Sequence, residues 1–135
     1  MSDTAQLSDA LKEKLDTPVF LTVATIQPDG SPQLSPVWVK REGNDVLFST
    51  TTDRRKAKNL LRDPRVTVQV QPFDEPYTYA EIRGRATVTE EGGQELIDEL
   101  SRKYTGKSYA EFNPAAGEGT RVVVRVTPDK VVGRL

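Results

Sequence analysis

The chain of 135 residues contains no cysteine and no histidine. Without cysteine it can form no disulfide, no thiolate nucleophile and no zinc–thiolate site. Without histidine it lacks the commonest acid/base group at neutral pH, any Ser-His arrangement and a proximal histidine for haem. A metal site would need carboxylates alone, and none is predicted. A mechanism based on two carboxylates stays open, but otherwise we expect a cofactor to supply any chemistry.

Long apolar runs are also missing. The run from Pro18 to Thr25 is far too short to span a bilayer, and the N-terminus lacks the basic and apolar regions of a secretory signal. We therefore expect a cytoplasmic protein with no membrane partner. The length is typical of one domain, so residues 1–135 are predicted to form a single domain that begins with a helical segment over residues 1–17.

The charge is balanced overall, with a formal net charge of −1, but it is polarised along the chain. Six Arg or Lys residues lie between Arg54 and Arg65 against one acid, Asp63, whereas residues 74–99 carry eight acids. Just before this basic segment stands Ser-Thr-Thr-Thr at positions 49–52, where a strand is predicted to turn into a helix. Hydroxyls, free N–H groups at a helix start, the helix dipole and Arg side chains all favour phosphate. The alternative interpretation is a solvated helix face.

Hydrophobic periodicity predicts three helices, at about residues 8–17, 54–61 and 94–104, the first with Ser8 as N-cap. Strands are predicted over 19–26, through 36–39, and over 46–50, 66–71, 77–89, 121–127 and 131–133. Gly84 indicates a bulge or a close backbone approach. The polar segment 108–119 is expected to be a mobile loop or a lid. Short connections favour an antiparallel barrel with appended helices over a doubly wound α/β sheet.

The order of these motifs resembles a known family. Ser-Pro-Gln-Leu-Ser-Pro-Val-Trp, Ser-Thr-Thr-Thr and Arg-Arg-Lys-Ala-Lys-Asn-Leu follow one another as in the pyridoxamine 5'-phosphate oxidase-like split β-barrel flavoproteins, and the likeness extends from about Leu11 to Leu135. The segments 56–60 and 77–84 resemble the branch that binds the deazaflavin coenzyme F420. The resemblance implies a mainly β (α+β) fold: a split β-barrel of six or seven antiparallel strands with two or three helices.

The resemblance also implies a homodimer with cofactor sites at the subunit interface. Cofactor contacts would come from the second and third strands, the basic helix and the start of the long strand. The residues concerned are Gln33, Ser35 and Val37; Ser49 and Thr50; Arg54, Arg55, Lys56 and Asn59; and Tyr77 and Tyr79.

Roles within this set follow from the family. Arg54 and Lys56 resemble phosphate ligands, and Asn59 resembles a polar contact to the cofactor tail. Tyr77 and Tyr79 would be lent to the site by the partner subunit. Their spacing of two places both on one face of a strand, which fits plain core or interface packing equally well. Trp38, in an alternating strand, is expected in the core.

The function implied is transfer of a hydride from reduced F420 to an unsaturated small molecule, which requires no protein nucleophile. FMN uses the same phosphate site, so an FMN-dependent reductase or oxidase is the alternative, as is a non-catalytic flavin-binding protein. Nucleic acid is not an expected partner, because the chain is near neutral and its acidic second half would repel a phosphate backbone.

Overall fold

The computed structural model describes residues 5–115 and 119–135. In these ranges the helices are α1 (Asp9–Leu15), α2 (Arg55–Arg62), α3 (Gly93–Thr105) and α4 (Tyr109–Phe112). The strands are β1 (Leu21–Ile26), β2 (Pro32–Val37), β3 (Val39–Glu42), β4 (Asp45–Thr51), β5 (Arg65–Val70), β6 (Ala80–Thr89) and β7 (Arg121–Gly133). None of these helices is long and apolar enough to cross a bilayer.

The seven strands of the described ranges form one antiparallel sheet in the order β2-β1-β5-β6-β7-β4-β3. The sheet curls into a half-barrel; α1 packs on β3, α2 on β1, β4 and β6, and α3 on β4 and β7. The mainly β split-barrel fold expected from the sequence is therefore confirmed.

The core lies inside the curl of the sheet and is closed by α1. Alternation along β5 turns Val66, Val68 and Val70 inward, where they meet fully buried residues such as Phe48 of β4. Burial of one such side chain contributes roughly 1.5–3 kcal/mol. The N-terminal helix forms as predicted, since the Ser8 hydroxyl accepts a hydrogen bond from the amide of Leu11.

The predicted second strand is in fact two strands. β2 pairs with β1 and β3 pairs with β4, and Trp38 lies at the point where the chain changes partner. Trp38 is half-buried and stacks on Tyr104 of α3, with ring centroids 5.4 Å apart and planes 15° apart. This contact joins α3 to the junction between the two ends of the sheet.

The strand predicted to break at Pro128 is continuous. β7 runs through that proline because Pro128 lies opposite Gly84, where the register of β6 and β7 shifts. A proline is tolerated at such a bulge since no ladder hydrogen bond is lost there. A Cβ on Gly84 would lie 2.2 Å from the Thr127 carbonyl oxygen, so the predicted close backbone approach is confirmed.

The segment predicted as a loop over residues 108–119 contains α4. Ser108 begins this short helix with a capping box: its hydroxyl accepts from the Glu111 amide, and the Glu111 carboxylate accepts from the Ser108 amide. Residues 116–118 of the predicted loop lie outside the described residues, as do residues 1–4 of the predicted N-terminal segment.

Candidate functional site

A cavity of about 260 Å³ opens where β2, β4, the start of α2, α3 and the start of β7 meet. Its walls fall into three chemical groups. The apolar wall comprises Phe20, Pro36, Val37, Trp38, Ile97 and Leu100, the hydroxyl wall Ser49, Thr50 and Thr51, and the cationic wall Arg54, Lys56 and Arg121. Such a cavity suits a ligand with a flat apolar part and an anionic part.

The three cations have no carboxylate partner among the described residues. Six described arginines elsewhere are paired with a carboxylate: Arg41 with Asp16 at 2.8 Å and Arg125 with Glu42 at 2.7 Å, for example. No such ion pair involves the cations of the cavity within the described ranges. The cavity wall therefore carries uncompensated positive charge.

Asp53 is the acid next to this wall. Its carboxylate accepts a hydrogen bond from the Thr51 hydroxyl, and this bond is the main cause of its lowered pKa, with smaller contributions from Arg54 and Lys58. The side chain is exposed to solvent, so it offsets little of the charge inside the cavity.

Lys56 is a half-buried cation of this wall. Its ammonium donates a hydrogen bond to the Ser35 hydroxyl at 3.1 Å. Burial lowers the pKa of Lys56 from its usual value of 10.5, and the positive charges of Arg54 and Arg121 lower it further. A bound anion would oppose all three effects, because it would solvate and neutralise the ammonium.

The start of α2 adds donors to the same wall. Arg54 is its N-cap residue, no side chain caps the helix, and the first turn contains no acid. The first amides of the helix are thus left without side-chain acceptors, at the positive end of the helix dipole.

Thr50 supplies a further unused group. Its side chain is buried, with 3% of the residue exposed, and its hydroxyl oxygen has no hydrogen-bond partner among the described residues. Buried polar groups are nearly always hydrogen-bonded. An unpaired hydroxyl beside unpaired cations and free helix amides fits a phosphate group.

Arg121 was not predicted as a site residue. It begins β7 and lies opposite Thr51 of β4, which places it beside the hydroxyl wall. Its guanidinium donates to the Ser49 hydroxyl at 3.3 Å and to the Tyr109 hydroxyl at 2.7 Å. The sequence shows Arg121 only as one residue of an alternating strand, and the pairing of β7 with β4 was the missing information.

Several of the predicted site residues come together at this cavity. Val37, Ser49, Thr50, Arg54 and Lys56 line it directly. Ser35 joins them through its hydrogen bond to Lys56.

Other predicted residues lie elsewhere. Arg55, the first residue of α2, is exposed and outside the cavity wall. The Gln33 side chain accepts a hydrogen bond from the Thr25 hydroxyl at 2.9 Å. Cofactor contacts for these two residues stay predictions.

Asn59 was predicted to contact the cofactor tail. In the structure its side chain is buried and bonded to neighbouring side chains of the same chain. It is fully buried, and its amide nitrogen donates to the Thr25 hydroxyl and to the Gln27 side-chain oxygen, each at 3.0 Å. These bonds tie α2 to β1. A contact between Asn59 and the cofactor stays a prediction. Substitution of Asn59 separates such a contact from the structural role.

We expect Asn59→Ala to lower the free energy of unfolding by about 2–3 kcal/mol, because it removes a buried hydrogen bond to Thr25 and a part-buried one to Gln27 and leaves both oxygens short of a donor. Urea denaturation of the purified variant measures the change. Lys58→Ala, at the exposed neighbouring position of the same helix, should shift the stability by less than about 0.5 kcal/mol. A normally stable Asn59→Ala protein with weakened cofactor binding would contradict the structural role.

Tyr77 and Tyr79 lie in the segment before β6, which begins only at Ala80. Tyr77 is 89% exposed and Tyr79 is 42% exposed, and neither lines the cavity of the same chain. They are therefore not core residues. Their contribution to a partner's site stays a prediction.

The described residues thus define a curled antiparallel barrel with a cationic, hydroxyl-lined cavity at one end. A family model described as pyridoxamine 5'-phosphate oxidase matches residues 7–134. Because this match covers almost the whole chain, the protein belongs to the pyridoxamine 5'-phosphate oxidase family, and the resemblance found in the sequence is confirmed.

Solved structures agree with this assignment. A protein described as an F420 reductase is 28% identical, with 93% of this chain and 98% of that chain covered and a TM-score of 0.81. A conserved hypothetical protein from Mycobacterium tuberculosis is 26% identical, with 97% and 86% covered and a TM-score of 0.75. Similarity to an F420 reductase agrees with the branch predicted within the family.

A third structure shows the fold alone. It is a pyridoxamine 5'-phosphate oxidase-related, FMN-binding protein from Nostoc punctiforme, 17% identical, with 93% and 83% covered and a TM-score of 0.65. Together with the family match, these likenesses support an oxidoreductase of the flavin-binding type, without deciding between cofactors.

Proposed function

We propose that the protein is an F420-dependent oxidoreductase that transfers a hydride from the reduced deazaflavin to an unsaturated organic small molecule. The observation that carries the proposal is the cavity wall that Thr50 shares with Arg54, Lys56 and Arg121: among the described residues the three cations have no carboxylate partner and the Thr50 hydroxyl has no hydrogen-bond partner. Beside this anion-binding wall lies an apolar wall suited to a flat ring.

Each wall has a distinct task in this proposal. Lys56, Arg54 and Thr50 would hold the phosphate, and Val37 and Trp38 would border the ring. The cofactor would supply the hydride chemistry, which agrees with the absence of His and Cys from the chain. The protein itself binds and orients, and the apolar wall keeps water from the reacting atoms.

Two observations favour F420 over FMN. The positive charge of the cavity exceeds what one phosphate neutralises, and F420 carries a glutamate tail in addition to its phosphate. The structure described as an F420 reductase is also similar over nearly the full length of both chains. FMN would use the same phosphate wall and is the second candidate.

A homodimer with cofactor sites at the subunit interface belongs to the same proposal. The exposed Tyr77 and Tyr79, together with Phe73, which is 100% exposed, and Leu34, which is 61% exposed, provide apolar surface for a second copy. Sedimentation equilibrium tests this, and a monomer at micromolar concentration would count against it. The cytoplasmic location and the single domain expected from the sequence stay predictions.

The test of the function is a parallel titration of the purified protein with F420 and with FMN, followed by quenching of each cofactor's fluorescence. We expect F420 to bind at least about tenfold more tightly, a difference of about 1.4 kcal/mol. The reverse order would move the protein to FMN. Reduced F420 that stays unoxidised with every conjugated acceptor tried would indicate a non-catalytic binding protein, and binding of neither cofactor would refute the proposal.

A further inference from the structure

Arg121 lies at the border of two cavities. One is the cavity of the candidate site, which it shares with Arg54 and Lys56. The other, of about 520 Å³, is enclosed by α3, α4 and Arg121, and its wall includes the side chains of Gln94 and Asn113. Arg121 and Ile97 line both cavities, so a ligand that extends from the first into the second would lie against Arg121.

Arg121 is held in place by neutral groups instead of a carboxylate. Its guanidinium carbon lies 4.9 Å from the centre of the Tyr109 ring, and it donates to the hydroxyls of Tyr109 and Ser49. The Tyr109 hydroxyl also accepts a hydrogen bond from the side-chain amide nitrogen of Asn113 at 3.1 Å. A guanidinium has five N–H donors, so these bonds orient Arg121 while leaving donors and its whole charge available.

Among the described residues, the acid that lines the second cavity is Asp98, and it is not paired with Arg121. Asp98 accepts a hydrogen bond from the Tyr109 amide at 2.9 Å and is paired with Arg102 at 3.0 Å. It therefore links α4 to α3, and its ion-pair partner is Arg102.

We propose that Arg121 binds a second anionic group of the ligand, beyond the phosphate held at the start of α2, and that Tyr109 is its positioning residue. The inference rests on the proposed function and extends it. Arg54 and Lys56 reach the cavity from α2, whereas Arg121 reaches it from β7, next to the second cavity. The ligand class is thus a phosphate that continues into a carboxylate or a second phosphate.

The experiment compares two cofactors that differ in anionic groups. Dissociation constants for F420, which has a phosphate and carboxylates, and for FMN, which has the phosphate alone, are measured with the wild type, Arg121→Gln, Tyr109→Phe and Lys56→Gln. Arg85→Gln is the matched control, because Arg85 is an exposed strand arginine whose nearest acid, Asp129, is 4.0 Å away.

We expect Arg121→Gln to weaken F420 binding by about tenfold or more while FMN binding changes by less than about twofold. Tyr109→Phe keeps the ring and loses the hydroxyl, so F420 binding should weaken by about threefold with FMN binding unchanged. Lys56→Gln should weaken both cofactors, and Arg85→Gln neither. Equal weakening of both cofactors by Arg121→Gln, or no effect on either, would overturn the proposal.

A second arm does not depend on the flavin assignment. Thermal unfolding is measured with inorganic diphosphate and with inorganic phosphate at matched ionic strength. We expect diphosphate to raise the melting temperature of the wild type more than phosphate does, and Arg121→Gln to abolish that difference. If neither cofactor binds the wild type, the proposed function fails and this arm alone decides the inference about Arg121. Diphosphate and phosphate that raise the melting temperature equally, in the wild type as in Arg121→Gln, would refute that inference.

Discussion

Replacement of Lys56 by Met is expected to weaken cofactor binding by about 1–3 kcal/mol, which is roughly 5- to 150-fold in the dissociation constant. The Lys56 ammonium lies in the cavity wall between Arg54 and Arg121 and makes one hydrogen bond, to a neutral hydroxyl. Met retains the apolar stem and removes the charge. Fluorescence titration with F420 and FMN measures the loss.

The fold should tolerate this change. Burial and the neighbouring Arg54 and Arg121 disfavour the charge of Lys56 in the free protein and lower its pKa, so Lys56→Met should unfold at the same urea concentration as the wild type or a higher one. Lys58→Met, on the exposed side of α2, is the matched control and should bind both cofactors normally. Riboflavin, which has no phosphate, should bind the wild type and Lys56→Met alike. Unchanged F420 and FMN affinities in Lys56→Met would remove Lys56 from the phosphate site.

The same lysine gives the binding a pH dependence. An anion binds the protonated ammonium, so affinity is highest below the pKa of Lys56 in the free protein and falls as pH rises through it. Since that pKa is lowered from 10.5, the decline begins at a lower pH than an ordinary lysine would give. Lys56→Arg should keep its affinity to higher pH, because Arg stays charged. A wild-type affinity that is flat across this range would contradict the assignment.

The free protein responds to pH in the opposite sense. Between the lowered pKa of folded Lys56 and the unfolded value of 10.5, the unfolded chain holds the proton more firmly than the folded chain does. The contribution of Lys56 to stability therefore rises with pH across that window. Binding and stability thus change in opposite directions, which separates the role of Lys56 in the site from any role in the fold.

Much of the fold could be predicted because its signals are local. Alternation in Val66, Val68 and Val70 is a property of one strand, and Ser8 caps α1 by contact with its own helix. The division of the second strand at Trp38 could not be predicted, since it depends on which distant strands lie on either side. The continuity of β7 through Pro128 likewise depends on Gly84, which is far away in the sequence.

The candidate site also contains residues that local sequence signals reveal and one residue that only long-range strand pairing reveals. Ser49, Thr50, Arg54 and Lys56 lie within eight residues, so one strand-to-helix turn brings them to one cavity, and the sequence shows that turn. Arg121 reaches the same cavity only through the pairing of β4 with β7, which no local pattern encodes.

Asn59 has a structural role that the sequence did not indicate. The family resemblance gave it a cofactor contact, which stays a prediction, and no local pattern shows which way its polar side chain turns. In the structure it faces β1, where Thr25 and Gln27 accept its hydrogen bonds.

Gly84→Ala is expected to give the largest loss of stability, about 3 kcal/mol or more. The added Cβ would lie 2.2 Å from the Thr127 carbonyl oxygen and 3.2 Å from the Pro128 Cα. Both atoms belong to the backbone of β7, whose pairing with β4 reaches Val126, one residue before Thr127, so neither can move aside as a flexible side chain would. The clash must open the β6–β7 ladder at its bulge.

Urea denaturation of Gly84→Ala beside Gly30→Ala separates this steric effect from the general cost of replacing glycine. Gly30 has φ +90° and no atom within 4 Å of an added Cβ, so its substitution should cost only the backbone strain of about 1–2 kcal/mol. Gly84 lacks a positive φ, so its requirement is purely one of space. Because β7 carries Arg121 at its other end, the folded fraction of Gly84→Ala should still bind cofactor if the damage stays at the bulge. Equal losses of stability in Gly30→Ala and Gly84→Ala would show that the backbone of β7 shifts at Thr127 to accept the added Cβ. The close approach of Gly84 to Thr127 would then not constrain the barrel.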